Sequence, residues 1–329
     1  RVPGRGRLAT HTRIPFLIAT TKDSERAQGP AGERPVLIVV PPFQGLKCPV
    51  LGASQLKANL VAAGFRAEVL YLNLLFAERI TPHLSEWLSG TGPYLVGEYL
   101  FSQVAHELGE ADLVRYVDEV LAPSDFGPAI EARFPGKTLL ETMRHLVGEA
   151  REFIRGEALE AIQARDPWLV GFSSTFQANC CSLAAIRELK RRAPDVLTVI
   201  GGANCETQMG EEIMKLYPEV DFVGRGECDK TFVEFIANLK GGGDGSGVPG
   251  FLARRGTPSA PSSPLKGTDL DAQPHPDFAD YFAMLARVSY RDRISPGLAM
   301  ETSRGCWWGF VQHCTFCAFN REGMVFRSK

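Results

Sequence analysis

No apolar run in these 329 residues approaches the roughly 20 that a membrane-crossing helix needs. The longest such run near the N-terminus, Ile14 to Ala19, is also too short for the apolar core of a secretory signal. Charge of one sign is scarce: 36 basic against 38 acidic side chains leave a formal net charge of −2. That balance gives no support to a nucleic-acid partner or a polybasic membrane anchor. No G-x-G-x-x-G follows the first predicted strand, and G-x-x-x-x-G-K-[ST] is missing altogether, which removes the usual signatures of a bound nucleotide. No internal repeat is visible. The eight cysteines lack the pattern of a small disulfide scaffold and point to a reducing, cytoplasmic compartment. Hydrophobic and charged fractions of 44% and 22% are ordinary for a soluble globular chain, and the length suits about two domains. The first residue is Arg1 rather than Met, as in a chain that begins inside a longer reading frame.

Residues 1–34, rich in Arg, Gly and Thr, read as a flexible lead-in. From Pro35 the texture changes. Val36 to Val40 is a continuous β-branched and aliphatic run, the pattern of a strand covered on both faces. Helical spacing follows from Leu51 to Ala63, then a second strand from Ala67 to Leu72. Residues 76–164 carry helical periodicity and read as an insertion between the second and third strands. Strands resume at Trp168–Phe172, Val196–Ile200 and Val220–Val223, with helices at 183–192, 209–216 and 230–239. Five strands alternating with helices predict an α/β fold with a doubly wound parallel sheet over residues 35–245. Residues 246–285, glycine-rich and then Pro/Ser-rich from Thr257 to Pro264, have linker composition, and residues 286–329 form a further unit.

In an open parallel sheet, ligands sit outside the C-terminal strand ends near the topological switch point. The residues there are Pro41, Pro42, Phe43 and Asn73, then Ser173, Ser174, Thr175 and Gln177, then Gly201, Gly202, Ala203 and Asn204, and finally Gly224, Gly226 and Glu227. Most are small, hydroxylated or amide-bearing, and the glycines let backbone N–H groups approach a large ligand. Each alone reads equally well as a tight-turn residue; together they predict a crevice for a bulky, polar cofactor. His83, His106, His145 and His275 read as surface or satisfied histidines. Cys180, Cys181, Cys205 and Cys228 read as buried small hydrophobes, while Cys48, in the loop after the first strand, is the one expected to face the cofactor.

The densest chemistry lies at Cys306, Cys314 and Cys317, spaced C-x7-C-x2-C after a predicted short strand from Leu298 to Thr302. Thiolates are soft ligands for iron–sulfur clusters and for zinc. Three ligands leave one position of a cubane cluster open for a substrate; a structural zinc site with His313 or another cysteine as fourth ligand, or three unligated thiols, are the competing readings.

Ser303-Arg304-Gly305-Cys306-Trp307-Trp308-Gly309, His313-Cys314-Thr315-Phe316-Cys317 and Phe326-Arg327-Ser328-Lys329 together resemble the cluster loop of cobalamin-binding radical S-adenosylmethionine (SAM) enzymes, in particular the group that matures ribosomally made peptides. The departures are Phe310, where an acidic residue is common, and Ala318, where glycine is common. The segment order before the loop is likewise similar to the Rossmann-like cobalamin-binding domain that precedes the radical SAM partial β/α barrel.

The resemblance implies that Cys306, Cys314 and Cys317 hold a [4Fe–4S] cluster whose open iron chelates SAM, with Trp307, Trp308 and Phe316 shielding it. It further implies cobalamin over the strand ends, with Ser173–Gln177 and Gly201–Asn204 along the nucleotide tail and lower corrin face. The D-x-H-x-x-G motif of many cobalamin proteins is missing, so no protein histidine is expected on cobalt. The implied activity is C-methylation of an unactivated carbon in a ribosomal precursor peptide, with an electron donor of flavodoxin or ferredoxin type. A non-methylating rearrangement and a non-catalytic cobalamin- or metal-binding module stay open. By the same resemblance the barrel continues well past its first strand and cluster loop, where this chain stops, so the chain is expected to be truncated and inactive alone.

Overall fold

The computed structural model describes residues 33–90, 92–254, 269–317 and 325–329. The predicted lead-in, apart from residues 33–34, the Pro/Ser-rich stretch Thr257–Pro264 and Ala318 lie outside the described residues. Strand β1, Val36–Val40, sits inside the sheet between β2, Ala67–Tyr71, and β3, Leu169–Ser173. Its alternate side chains feed two cores, as the two-residue period of a strand requires. Leu37 and Val39 join Phe76, Phe101 and Phe153 on one face, while Val36, Ile38 and Val40 join Leu60, Phe235 and Phe251 on the other. Each such buried side chain contributes about 1.5–3 kcal/mol.

The sheet continues through β4, Leu197–Gly201, β5, Phe222–Gly224, and β6, Phe251–Ala253, in the order β2-β1-β3-β4-β5-β6. The first five strands are parallel, as predicted, and β6 runs antiparallel to β5. The five-stranded parallel sheet is thus corrected to a six-stranded mixed one. β6 lies in the stretch read as linker, where three residues after a glycine-rich run are too short to display a period. Phe251 anchors it by stacking on Phe235, ring centroids 4.2 Å apart. The order reverses between β1 and β3, which puts the switch point there.

Helix α1, Leu51–Ala62, returns from β1. Between β2 and β3 the chain is helical: α2, Leu72–Ile80, α3, Pro82–Ser89, α4, Val96–Ala105, α5, Glu110–Tyr116, α6, Phe126–Glu131, α7, Leu139–Phe153, and α8, Leu159–Gln163. This segment starts directly after β2, earlier than its periodicity suggests. Crossovers α9, Asn179–Arg192, α10, Thr207–Leu216, and α11, Thr231–Lys240, link the later strands. Helix α12, Ala279–Leu285, also falls in the predicted linker. It straps the sheet edge: Tyr281 donates its hydroxyl to the Leu46 carbonyl at 2.7 Å, and Lys57 pairs with Asp277 and Asp280 at 2.9 and 2.8 Å.

The predicted strand Leu298–Thr302 is not formed. Among the described residues nothing pairs with Leu298 or Met300, which stay exposed, and a strand without a partner has no ladder. In its place the two-residue strands β7, Ser303–Arg304, and β8, Arg327–Ser328, pair antiparallel, with the short helix α13, Trp307–Val311, leaving β7.

Candidate functional site

Three parallel strands end side by side at Ser173, Gly201 and Gly224, paired in that register. Their turns make a floor of small groups: Ser173, Gly201 and Gly202 are half-buried, and Ala203 and Gly226 exposed. Gly202 has φ +114° and ψ −176°, a region that only glycine occupies freely, and a Cβ there would lie 2.5 Å from the Ser174 carbonyl. Thr175 stands at the edge of the floor, its hydroxyl accepting from Gln44 Nε2 at 2.6 Å. Beside it Phe176 is 84% exposed and held at φ +49°. Asn204 fixes that turn by donating from Nδ2 to the Phe176 carbonyl at 3.0 Å and to Ser174 Oγ at 3.1 Å.

Several residues predicted to meet a ligand are spent inside the protein. Phe43 is buried edge-on to Phe76 with centroids 5.6 Å apart, and Pro42 is buried too. Gln177 is 2% exposed; it donates to the Leu88 carbonyl at 2.9 Å and accepts from Gly97 N at 2.8 Å, pinning the helical segment to the sheet. Asn73 is buried and donates to the Gly45 carbonyl at 3.1 Å, which shapes the loop after β1. Buried Ser174 donates to Asn179 Oδ1 at 3.0 Å. Gly224 packs below Cys228 and Phe251. A polar atom buried without such partners would cost about 1–3 kcal/mol, so the Gln177 amide, the Ser174 hydroxyl and the Asn73 Nδ2 are committed to the turns they hold, while Asn73 Oδ1 is buried with no partner among the described residues.

Residues missed by the sequence reading do comparable work. Glu98 of α4 accepts from the backbone N–H groups of Asn179 and Cys180, both at 2.7 Å, and so caps α9. A carboxylate at a helix N-terminus is favoured by the unpaired N–H groups there. It starts α9 four residues earlier than its apolar spacing suggests, and no local signal reveals it.

The cysteine loop meets the same end of the sheet through charge. Arg304 donates to Glu301 at 2.6 and 3.0 Å, to Glu227 at 3.3 Å and to both oxygens of Asp229, one at 3.1 Å. Arg327 donates to the other oxygen of Glu227. Burial alone would lower the Arg304 pKa, but hydrogen bonds to Asp229 and Glu301 raise it above the usual arginine value. The predicted ligand residue Glu227 is therefore engaged with arginine.

Cys306 is exposed, and its Sγ accepts from Gly309 N at 3.3 Å; Cys314 and Cys317 are half-buried. Trp307 and Trp308 stand edge-to-face, centroids 5.7 Å apart, both exposed, and Phe316 is 90% exposed. Three free thiols on one loop suit an iron–sulfur cluster in kind. Among the described residues, however, no three His, Cys, Asp or Glu side chains converge into a metal-holding group.

Cys48 is exposed beside Gly297, and Cys181 and Cys205 are buried while Cys180 and Cys228 are half-buried. His83 lies in α3, His106 just after α4, His145 in α7 and His275 ahead of α12. A cavity of about 270 Å³ lined by Tyr99, Leu108, Tyr116 and Val120 together with the charged Asp112, Arg115 and Glu119 includes no strand-end residue.

The family model of the B12 binding domain matches residues 150–236, the stretch from late α7 through β3, β4 and β5 into α11. Over that stretch the parallel strands β3, β4 and β5 and their helices resemble a B12-binding, Rossmann-like domain. An uncharacterised methyltransferase of Pyrococcus horikoshii is 28% identical over 174 residues, 52% of this chain and 36% of that protein. Among solved structures, the cobalamin-dependent S-adenosylmethionine radical enzyme OxsB, with aqua-cobalamin and S-adenosylmethionine bound, is similar with TM-score 0.48 and 14% identity, over 90% of this chain and 30% of its own. The radical S-adenosylmethionine methyltransferase TsrM of Kitasatospora setae is similar with TM-score 0.40 and 15% identity, over 83% and 40%. This chain spans well under half the length of each of these relatives. Among the described residues no helix is long and apolar enough to cross a membrane.

Proposed function

We propose that this chain belongs to a cobalamin-dependent radical SAM enzyme and carries its corrin floor together with its cluster loop. The observation that carries the reading is the coincidence of two features: the B12 binding match covers the small-residue strand ends, and a C-x7-C-x2-C loop is salt-bridged to that same end. Ser173, Thr175, Gly201, Gly202 and Ala203 would floor the corrin, and no histidine would reach cobalt. Cys306, Cys314 and Cys317 would hold the [4Fe–4S] cluster. Metal ligands are commonly gathered by the metal itself, so the loop would close as the cluster forms. Trp307, Trp308 and Phe316 would then cover it and keep water out. When bound, the cluster and SAM supply a carbon-centred radical and cobalamin supplies a methyl group; the protein's share is orientation and exclusion of solvent.

Within this class we favour C-methylation of an unactivated carbon in a ribosomally made peptide, with reducing equivalents from a flavodoxin or ferredoxin type donor. The motif from Ser303 to Cys317 supports that choice. A non-methylating rearrangement uses the same three cofactors, and the product mass separates the two reactions.

The test is anaerobic incubation with hydroxocobalamin, desalting, and corrin absorbance per chain, followed by iron and sulfide reconstitution. Near-stoichiometric corrin, with iron and acid-labile sulfide in equal amounts, is the expected result. Replacing all three loop cysteines by alanine removes the iron and leaves the corrin. A well-folded chain that retains no corrin sinks the cobalamin assignment; zinc in place of iron sinks the cluster.

A further inference from the structure

We propose that Glu227 and Asp229 form an ionic latch with Arg304 and Arg327 that holds the cysteine loop against the C-terminal end of the sheet, making Arg304 a positioning residue for Cys306. The argument starts from the ribbon. Strands β7 and β8 are two residues each, far too short to persist alone. Their pairing also sets Arg304 directly opposite Arg327, and like charges facing each other across a ladder repel. Glu227 resolves this by lending one carboxylate oxygen to each arginine. Asp229, buried, then takes two donors of the Arg304 guanidinium, whose remaining edge is held by Glu301.

A planar guanidinium forked between carboxylates fixes direction as well as distance, which a lysine point charge cannot do. The four latch groups are only 9–32% exposed, so their pairing is stronger than that of a surface salt bridge. Cys306 lies two residues beyond Arg304, and Glu227 and Asp229 lie just beyond β5. The latch therefore sets where the thiol loop begins relative to the strand-end floor. Its consequence for chemistry, a fixed approach of the cluster to the corrin, rests on the function proposed above; the latch itself does not.

Amide hydrogen exchange on the full, cofactor-free chain tests it. Glu227→Gln with Asp229→Asn is expected to speed exchange over residues 302–306 and 327–329 by about tenfold or more, leaving β1, β3 and β4 unchanged. Arg304→Lys keeps part of the protection, whereas Arg304→Met, of similar bulk, loses it. Adding Asp229→Asn to Arg304→Met has little further effect, the non-additivity expected of direct partners. Arg327→Met, remote from the sheet core, provides the same readout should the acidic variants misfold. Unchanged exchange in these variants, equal behaviour of the lysine and methionine replacements, or full additivity would each overturn the latch. Cobalamin retention, measured separately, reports on the proposed function: lost corrin with an intact latch refutes that reading alone.

Discussion

Gly202 concentrates the local constraints of the strand-end floor. Its backbone sits at φ +114°, and its missing side chain lets the turn after β4 close on the Ser174 carbonyl. Asn204 reaches that same turn from the following residues, donating its backbone N–H to Ser174 O at 3.2 Å. Gly202→Ala is expected to lower stability by about 3 kcal/mol, read as a lower denaturant midpoint in chemical unfolding. Phe176, on the same rim, carries the opposite burden: an aromatic ring left in water on a left-handed backbone.

At the scale of elements, the strap formed by α12 is held by Lys57, Asp277 and Asp280. Burial alone would lower the Lys57 pKa, yet Asp280 and Asp277 raise it above the ordinary lysine value. Burial would raise Asp277, yet the hydrogen bond from Lys57 brings it below the ordinary aspartate value. A depressed carboxylate contributes stability in full above its unfolded pKa and loses it as pH falls through the folded one. A raised lysine contributes in full below its unfolded pKa and loses it as pH rises through the folded one. The strap is therefore firm across neutral pH and loosens at both extremes. Lys57→Met is expected to cost about 2 kcal/mol at pH 7, less than a fully buried pair because both aspartates keep contact with water, and less still in acid. Urea unfolding at pH 7 and at pH 3 checks this; an equal cost at both would show that the lysine acts through packing.

Over the whole molecule the eight cysteines divide into two populations. Burial pushes the thiol pKa of Cys205 and Cys228 up to about 12 and raises Cys180 and Cys181 as well. Thiolates are the nucleophiles, so these four are expected to resist alkylation; Cys48 and Cys306 are exposed and Cys314 and Cys317 lie half-buried on a short loop, where the reagent is expected to reach them. Intact mass after iodoacetamide at pH 8 on the folded, cofactor-free chain should therefore register four additions, with all eight labelled after unfolding. Labelling of the buried Cys181 or Cys205 in the folded chain would show that the sheet opens readily. This division assigns the sheet thiols to packing and leaves the loop thiols available for ligation.

The sequence by itself determined the parallel sheet, because continuous apolar runs broken by helical periods leave few other arrangements. It also determined where the strand ends fall and which three cysteines share a loop, since glycine turns and thiol spacing are local properties. Which strand-end residues remain open was a tertiary decision. Gln177 and Ser174 read like Ser173 and Thr175 in the chain, but Gly97, Leu88 and Asn179 take up their hydrogen bonds from distant helices or across a turn. Edge strand β6 and strap α12 were likewise hidden, one too short to show a period and the other defined by contacts more than two hundred residues away. Glu227 looked like a ligand residue and became a partner of Arg304 and Arg327, because pairing between charges depends on where the chain returns and not on what lies beside them in sequence.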